Sequence, residues 1–290
     1  MTPDDRPDNR EDIREFLATR RARLTPAEAG LPAGTRRRVP GLRREEVAVL
    51  AGVSTEWYTR LEKGHIAGVS DEVLDAVAGA LRLDEAEHAY LFDLARAARP
   101  AKRAARRRKP VEVPDPVRWM LSSMQGSAAI VVNGRLDVLA TNELGRALLS
   151  PLYAGRAAPN FARFQFLDPA ARDYYPDWDG AANVTVALLR TEAGRDPHNQ
   201  ELRELIGELS TVSEEFRTRW ATHNVRLHHA GSKQFNHPDV GCMDLAYHTM
   251  DISAQRDRTL SLTVYTAEPG SPSEDRLRLL ASWAATHIPA

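Results

Sequence analysis

The segment from Leu42 to Ser54 constrains the fold of this chain more than any other stretch of its 290 residues. Its apolar residues at helical spacing can face a core from one helix, and they are Val47, Leu50 and Ala51. Gly52 permits the positive backbone φ of a tight turn, and Ser54 can cap the helix that follows. The segment therefore predicts two short helices joined by a glycine turn, with the second helix ending near Lys63.

The second predicted helix has a polar outer face near its amino-terminal end. Tyr58 and Leu61 fall on its inner face, so the polar residues project outward and are able to enter a DNA major groove. The predicted groove-facing residues are Ser54, Thr55, Glu56, Thr59 and Arg60. The predicted phosphate-binding residues are Arg43, Arg44 and Lys63. Arg60 has an alternative role, because an exposed i,i+4 pair with Glu56 contributes about 0.3–0.5 kcal/mol to a helix.

Charge divides the chain into a basic front and an acidic back. Residues 1–110 hold 22 basic and 18 acidic residues, whereas residues 111–290 hold 17 and 22. Eight of the basic residues lie between Arg96 and Lys109 with no acidic residue among them, which predicts an extended, solvated linker. Whether this linker also follows a phosphate backbone stays open. The predicted division is a first domain over 1–98, a linker over 99–114 and a second domain over 115–290.

The two parts differ in their hydrophobic periodicity. Apolar residues of the first part recur at helical spacing, with helix starts at Thr25-Pro26, Ser70-Asp71 and Asp84, and this predicts an all-α domain of about five helices. The second part is predicted to be α+β, with an antiparallel sheet of about five strands. Its strands are predicted at 128–133, 136–140, 225–235, 241–251 and 259–267, with Asn133-Gly134 as a hairpin turn. Its helices are predicted at 142–149, 179–193, 199–209, 212–222 and after Ser271-Pro272.

Composition excludes the disordered and fibrous classes of protein. Hydrophobic residues make up 42% and charged residues 27%, as in an ordinary globular protein. The first 25 residues alternate charge with few apolar positions, and nowhere do 18 uncharged apolar residues follow one another. Neither a signal peptide nor a membrane span is therefore predicted, and we expect a cytoplasmic protein with no membrane partner. The single cysteine, Cys242, can form no intramolecular disulfide.

The sequence contains no motif that indicates a metal site or a catalytic site. Histidines cluster in the second half at His223, His228, His229, His237 and His248, but no His-x-x-x-His or Cys-x-x-Cys spacing places ligands on one face. No Gly-x-Ser-x-Gly motif, glycine-rich phosphate loop or paired-carboxylate motif occurs. We predict no metal, no cofactor and no enzyme activity. A nucleophile and a base that are distant in sequence keep a hydrolase-like domain open as an alternative.

Residues 42–64 resemble the phage-repressor-like (xenobiotic-response-element) helix-turn-helix family, including the Leu61-Glu62-Lys63-Gly64 ending of its recognition helix. The longer stretch from Phe16 to Glu62, with Arg36-Arg37-Arg38 and Trp57-Tyr58-Thr59-Arg60, looks like an actinobacterial branch that typically precedes a MmyB-like ligand-binding domain. Arg44 departs from the glutamine that begins many of these motifs. The resemblance therefore implies DNA binding but no particular operator sequence.

The second half looks like that MmyB-like domain in phrases such as Asp137–Asn142, Tyr175-Pro176-Asp177-Trp178 and His237-Pro238-Asp239-Val240-Gly241. The resemblance implies a PAS-like fold and a small, largely apolar ligand such as a fatty acid. Bulky apolar residues are candidates for the pocket, although each of them can instead be core. These candidates are Phe164, Phe166, Trp178, Leu188, Phe216, Trp220, Tyr247 and Tyr265.

The sequence thus predicts a ligand-responsive transcription regulator. Because one such module contacts too few bases for genomic specificity, we expect a homodimer on a pseudo-palindromic double-stranded operator. Two alternatives stay open for the second domain. In the first alternative it is a ligand-free dimerisation or protein-interaction module. In the second it is an enzyme domain attached to a DNA-binding unit.

Overall fold

The chain separates into two units. The computed structural model describes residues 9–32, 39, 41–98, 112–154, 158–222, 229–253 and 259–287. The first unit comprises residues 1–105, 190–201 and 220–227, and the second comprises 106–189, 202–219 and 228–290. The domain bounds proposed from the sequence stay predictions. Most of the predicted linker and the triplet Arg36-Arg37-Arg38 lie outside the described residues.

The first unit contains the five helices that the sequence predicts. They are α1 (Arg10–Arg23), α2 (Arg44–Leu50), α3 (Thr55–Glu62), α4 (Asp71–Ala80) and α5 (Glu85–Ala97). Their shared core includes the residues expected from helical spacing, among them Ile13, Phe16, Val47, Tyr58, Leu61, Leu74 and Val77. Asp84 caps α5 as predicted, because its side chain accepts a hydrogen bond from the Glu87 N–H at 2.9 Å.

Two predictions for this unit are wrong. Thr25-Pro26 does not begin a helix, because residues 25–30 form only hydrogen-bonded turns that end at Gly30 with a φ of 74°. The Thr25 hydroxyl donates to the Glu28 carboxylate at 2.6 Å, and this side-chain bond stabilises the turn without a following helix. Leu50 does not join the core, since it is 36% exposed at the end of the seven-residue helix α2.

The second unit is built around a five-stranded antiparallel sheet, which confirms the predicted fold class. Its strands are β1 (Ala128–Asn133), β2 (Val138–Thr141), β3 (Ala230–His237), β4 (Gly241–Asp251) and β5 (Leu260–Thr266). The strand order is β2-β1-β5-β4-β3. Tyr247 pairs with Tyr265 across β4 and β5, and Ala128 pairs with Tyr265 across β1 and β5. The first residues of the predicted strand 225–235 lie outside the described residues.

Helices pack on both faces of this sheet. The helices after α5 are α6 (Asp115–Ser123), α7 (Glu143–Leu148), α8 (Ser150–Tyr153), α9 (Phe161–Leu167), α10 (Ala170–Tyr174), α11 (Trp178–Arg195), α12 (Gln200–Val212), α13 (Glu214–Trp220) and α14 (Pro272–His287). The end of α11 from residue 190, the first two residues of α12 and Trp220 belong to the first unit. On the inner face, Tyr265 and Leu245 share a core with Leu148 and Leu280. On the outer face, Leu121 of α6 packs with residues of β1 and β5. Neither α6 nor the short helices α8, α9 and α10 were predicted.

The turn between β1 and β2 differs from the predicted two-residue hairpin. The left-handed residue is Leu136, with a φ of 65°, and β2 begins only at Val138. The Asn133 side chain explains the longer turn, because its oxygen accepts the N–H groups of Arg135 and Asp137, both at 3.0 Å. Asn133 therefore closes the turn with its side chain instead of with a positive φ of its own.

Candidate nucleic-acid interface and ligand site

The turn between α2 and α3 has the geometry that the sequence predicts. Gly52 has a φ of 66°, and the Val53 N–H donates to the Ala48 carbonyl at 2.9 Å. The Ser54 hydroxyl then accepts the Trp57 N–H at 3.1 Å and caps α3. Because both helix ends are satisfied by these bonds, the turn fixes the orientation of α3 relative to α2.

The predicted groove-facing residues share one exposed edge of α3. Tyr58 and Leu61 are buried in the core of the unit, which turns the opposite face of the helix outward. Ser54, Thr55, Glu56, Arg60 and Lys63 are exposed and Thr59 is half-buried. Within the described range 41–98, Glu56 and Arg60 form no ion pair, so the alternative role predicted for Arg60 is not seen.

Glu62, which the sequence analysis did not single out, joins three helices. Its carboxylate is 2% exposed and accepts Arg21 Nε and Nη2 at 2.8 and 2.9 Å. Arg44 at the start of α2 donates to the same carboxylate from Nε at 3.0 Å. Burial opposes ionisation, but hydrogen bonds and charge from the two arginines hold the pKa of Glu62 below its ordinary value.

Arg44 therefore has a structural contact in addition to its predicted phosphate contact. Its side chain is 49% exposed, so part of the guanidinium faces solvent while it contacts Glu62. Arg43 is similarly exposed and forms an ion pair with the exposed Glu45 at 3.4 Å. The buried acid has a sequence signal, because Glu62 follows Leu61 and lies four residues after the core residue Tyr58.

Three of the candidate pocket residues form an aromatic group in the second unit. Phe166 lies edge-on to Trp178 and to Phe216, with ring centroids 6.0 and 5.1 Å apart. Arg172 and Arg219 place their guanidinium groups 4.0 and 5.1 Å from the Trp178 ring. These contacts cover the indole, and they are consistent with core packing as well as with a pocket wall.

A second aromatic group contains three other candidates, namely Phe164, Tyr247 and Tyr265. Phe164 lies 6.0 Å from the Tyr175 ring, and Tyr265 lies 5.3 Å from the Phe235 ring and 5.9 Å from the Tyr247 ring. Tyr175 and Phe235 connect these candidates at 5.9 Å. The group follows the inner face of the sheet from β3 to β5.

The remaining two candidates lie apart from these groups. Leu188 is half-buried on α11. Trp220 belongs to the first unit, where the fully buried Arg190 places its guanidinium 4.1 Å from the indole ring. The pocket role of all eight residues stays a prediction.

Lys233 lies at the β3 end of the second aromatic group, and the sequence analysis missed it. Its ammonium is 4.1 Å from the Tyr175 ring centroid and 5.7 Å from that of Phe235. Burial lowers the pKa of Lys233 to about 8, an effect that the Asp177 charge opposes. The sequence offers one weak signal, since only four of its 39 basic residues are lysine and Lys233 is the only lysine after residue 109.

Ser150, His237 and Asp239 have the residue types of a hydrolytic triad but not its hydrogen-bond polarity. His237 Nε2 lies 3.0 Å from the Ala147 carbonyl, which can only accept, so Nε2 carries the proton. Nδ1 accepts the Asp239 N–H at 3.2 Å, while the Asp239 carboxylate is 3.8 Å away. Nε2 therefore cannot accept a proton from the Ser150 hydroxyl at 3.2 Å.

A separate cleft of about 630 Å³ opens between α6, the end of β2 and α14. Leu121, Asn142 and Ala284 are among its lining residues, and none of the eight candidate pocket residues lines it. In the part of the chain that the structure describes, no group of three acidic, histidine or cysteine side chains is placed to hold a metal ion. None of the described helices is both long and apolar enough to span a membrane.

The two helices joined by a glycine turn, with an exposed polar edge on the second, have the geometry of a helix-turn-helix DNA-binding motif, and an α+β unit follows them. Residues 12–91 match the family model of a helix-turn-helix domain. Residues 113–280 match that of the MmyB-like transcription regulator ligand binding domain. Since the second match covers more than half of the chain, the chain belongs to the MmyB-like transcription regulators. None of the curated proteins matches the chain significantly.

Proposed function

We propose that this protein is a homodimeric transcription regulator that binds a pseudo-palindromic DNA operator and responds to a small, largely apolar, fatty-acid-like ligand. The exposed polar edge of α3 is the observation that carries the DNA-binding part of the proposal. In this proposal, Ser54, Thr55, Glu56, Thr59 and Arg60 contact bases, and Arg43, Arg44 and Lys63 contact phosphates.

The DNA contacts are tested by comparing specific and random DNA. Thr55→Ala removes a groove-facing hydroxyl, so it should weaken operator binding and leave random-sequence binding nearly unchanged. Lys63→Ala removes a charge, so it should weaken both to a similar extent and reduce the salt dependence. Arg14→Ala is the control, because Arg14 is 60% exposed on α1 and is not among the proposed DNA contacts. Equal losses for Thr55→Ala on both DNAs would contradict its assignment to the groove.

The dimer is proposed because one helix-turn-helix reads only a half-site. Sedimentation of the full chain with a two-site operator and with a single half-site tests it. We expect two chains on the two-site DNA, and much weaker binding to the half-site, because the second contact of a dimer benefits from high effective concentration. Tight binding of one chain to one half-site would contradict the dimer.

The ligand-binding part rests on the family of the second unit and on its two aromatic groups. Native mass spectrometry tests it, because a retained small molecule adds mass that is lost on denaturation. A dimer that neither retains nor takes up an apolar molecule would instead favour a ligand-free dimerisation module. The hydrolase alternative is disfavoured by the Nε2 proton of His237 and by families that are regulatory.

A further inference from the structure

Lys233 is a charged group in apolar surroundings without an ion pair among the described residues. The carboxylate that most affects it, Asp177, acts only as a distant charge, and no hydrogen bond joins the ammonium to any described residue. The side chain is half-buried and faces the rings of Tyr175 and Phe235. Such a charge is unfavourable unless an anion or hydrogen-bond acceptors compensate it, and two aromatic faces compensate it only in part.

The surroundings of Lys233 contain phenol groups that can donate hydrogen bonds. The ring centroids of Tyr247 and Tyr265 lie 5.9 Å apart, and Phe235 lies 5.3 Å from the Tyr265 ring and 5.9 Å from the Tyr175 ring. Burial raises the pKa of all three tyrosines. They therefore remain protonated donors at neutral pH, and an ammonium with protonated phenols is a donor set that suits a single negative charge.

The inner face of the sheet beside this group is lined by small residues. Gly231 pairs with Tyr247, and a Cβ at Gly231 would lie 2.8 Å from the Tyr247 hydroxyl. Thr249 and Thr263 follow on the same face, where both are half-buried and their hydroxyls lie 2.9 Å apart. The small side chains leave these inner-face positions only partly covered, next to the aromatic rings.

We propose that Lys233 binds the negatively charged head group of the ligand, and that the ligand is a monoanion such as a carboxylate with an apolar body. The proposal deepens the proposed function and depends on it, because it names the charge that the ligand must carry and the residue that requires it. The apolar body would lie along the inner face beside Tyr247 and Tyr265, toward the half-buried Thr249 and Thr263.

The test compares decanoate with methyl decanoate, its neutral ester, by calorimetry of the full chain below the micelle concentration. The wild type should bind decanoate about 10- to 100-fold more tightly, which is the effect of one charge-assisted hydrogen bond. Lys233→Met should reduce this preference to less than about threefold while ester binding persists. Gln234→Met is the matched control, because Gln234 is the exposed neighbour on the opposite face of β3 and should keep the full preference.

The outcomes separate this inference from the proposed function. Equal wild-type affinities for acid and ester would overturn the role of Lys233 and leave apolar ligand binding intact. Binding of neither probe, with a cognate DNA response also absent, would contradict both. If Lys233→Met does not fold, as judged by circular dichroism, Lys233→Gln replaces it. A wild-type ratio near one overturns the inference even if neither variant folds.

Discussion

Glu62 at the end of α3 and Arg21 in α1 form a two-hydrogen-bond ion pair, with N–O distances of 2.8 and 2.9 Å. Arg21 also donates to the Leu42 carbonyl at 2.8 Å, just before α2 begins. One buried carboxylate and one guanidinium thereby position both helices of the DNA-binding motif against α1. The orientation of the exposed edge of α3 depends on this pair as well as on apolar packing.

Replacing Glu62 should destabilise the first unit strongly. Glu62→Gln removes the charge that compensates Arg21, and breaking a buried pair costs about 3–5 kcal/mol. We expect a value near the lower end, because Arg44 is 49% exposed and can be solvated. Glu56→Gln is the control on the same helix, since Glu56 is exposed. Chemical denaturation measures both, and equal small effects would show that the pair contributes little.

Arg43 and Arg44 should both affect DNA affinity, and Arg44 should affect stability more strongly because it contacts the buried Glu62. Arg44→Ala should weaken binding to specific and random DNA by similar factors and reduce the salt slope by about 1. It should also lower the melting temperature, because Glu62 loses a partner. Arg43→Ala should give the same DNA effect with a smaller decrease in melting temperature, because its ion pair with Glu45 is exposed. Unchanged random-DNA affinity of Arg44→Ala would remove it from the phosphate contacts.

Gly52 should be required for its backbone conformation and not for space. A Cβ there would meet no atom within 4 Å, but the φ is 66°. Gly52→Ala should therefore cost about 1–2 kcal/mol of unfolding free energy from strain alone. Gly79→Ala is the matched control, because Gly79 is exposed inside α4 and also meets nothing within 4 Å. That variant should gain about 0.5–1 kcal/mol, and destabilisation by both would point to an unseen contact.

Local rules predicted the motif helices and the sheet because their periodicity and caps act within a few residues. Gly52 and Ser54 have the predicted roles, since the turn they form depends on neighbouring backbone groups. Contacts between residues that are distant in sequence leave no such pattern in the sequence, so they were not predicted. Arg21 and Glu62 are 41 positions apart, and Lys233 meets Tyr175 only after the sheet has formed. A pattern of alternation identifies a buried face but not which charged residue lies on it.

His237 should make the second unit less stable in mild acid. Burial lowers the pKa of His237 below its ordinary value, so the unfolded chain binds the proton more readily than the folded one. The stability it contributes is complete above about pH 6.5 and is lost as pH falls through the lower folded pKa. Melting temperatures at pH 7.5 and 5.0 should therefore differ more for the wild type than for His237→Gln. His248→Gln, at an exposed position of β4, should retain the wild-type difference.

Ligand and operator should change each other's affinity by the same factor. A ligand alters DNA binding only as far as it binds the two dimer arrangements unequally, and such couplings are typically about 5- to 150-fold. We therefore expect calorimetry with decanoate to give different dissociation constants in the presence and absence of operator DNA. Anisotropy titrations of operator, with and without saturating decanoate, should give the same ratio, because linkage is reciprocal. A random DNA duplex serves as the control and should change decanoate affinity less. Equal dissociation constants in all titrations would mean that the second unit binds its ligand without regulating the operator.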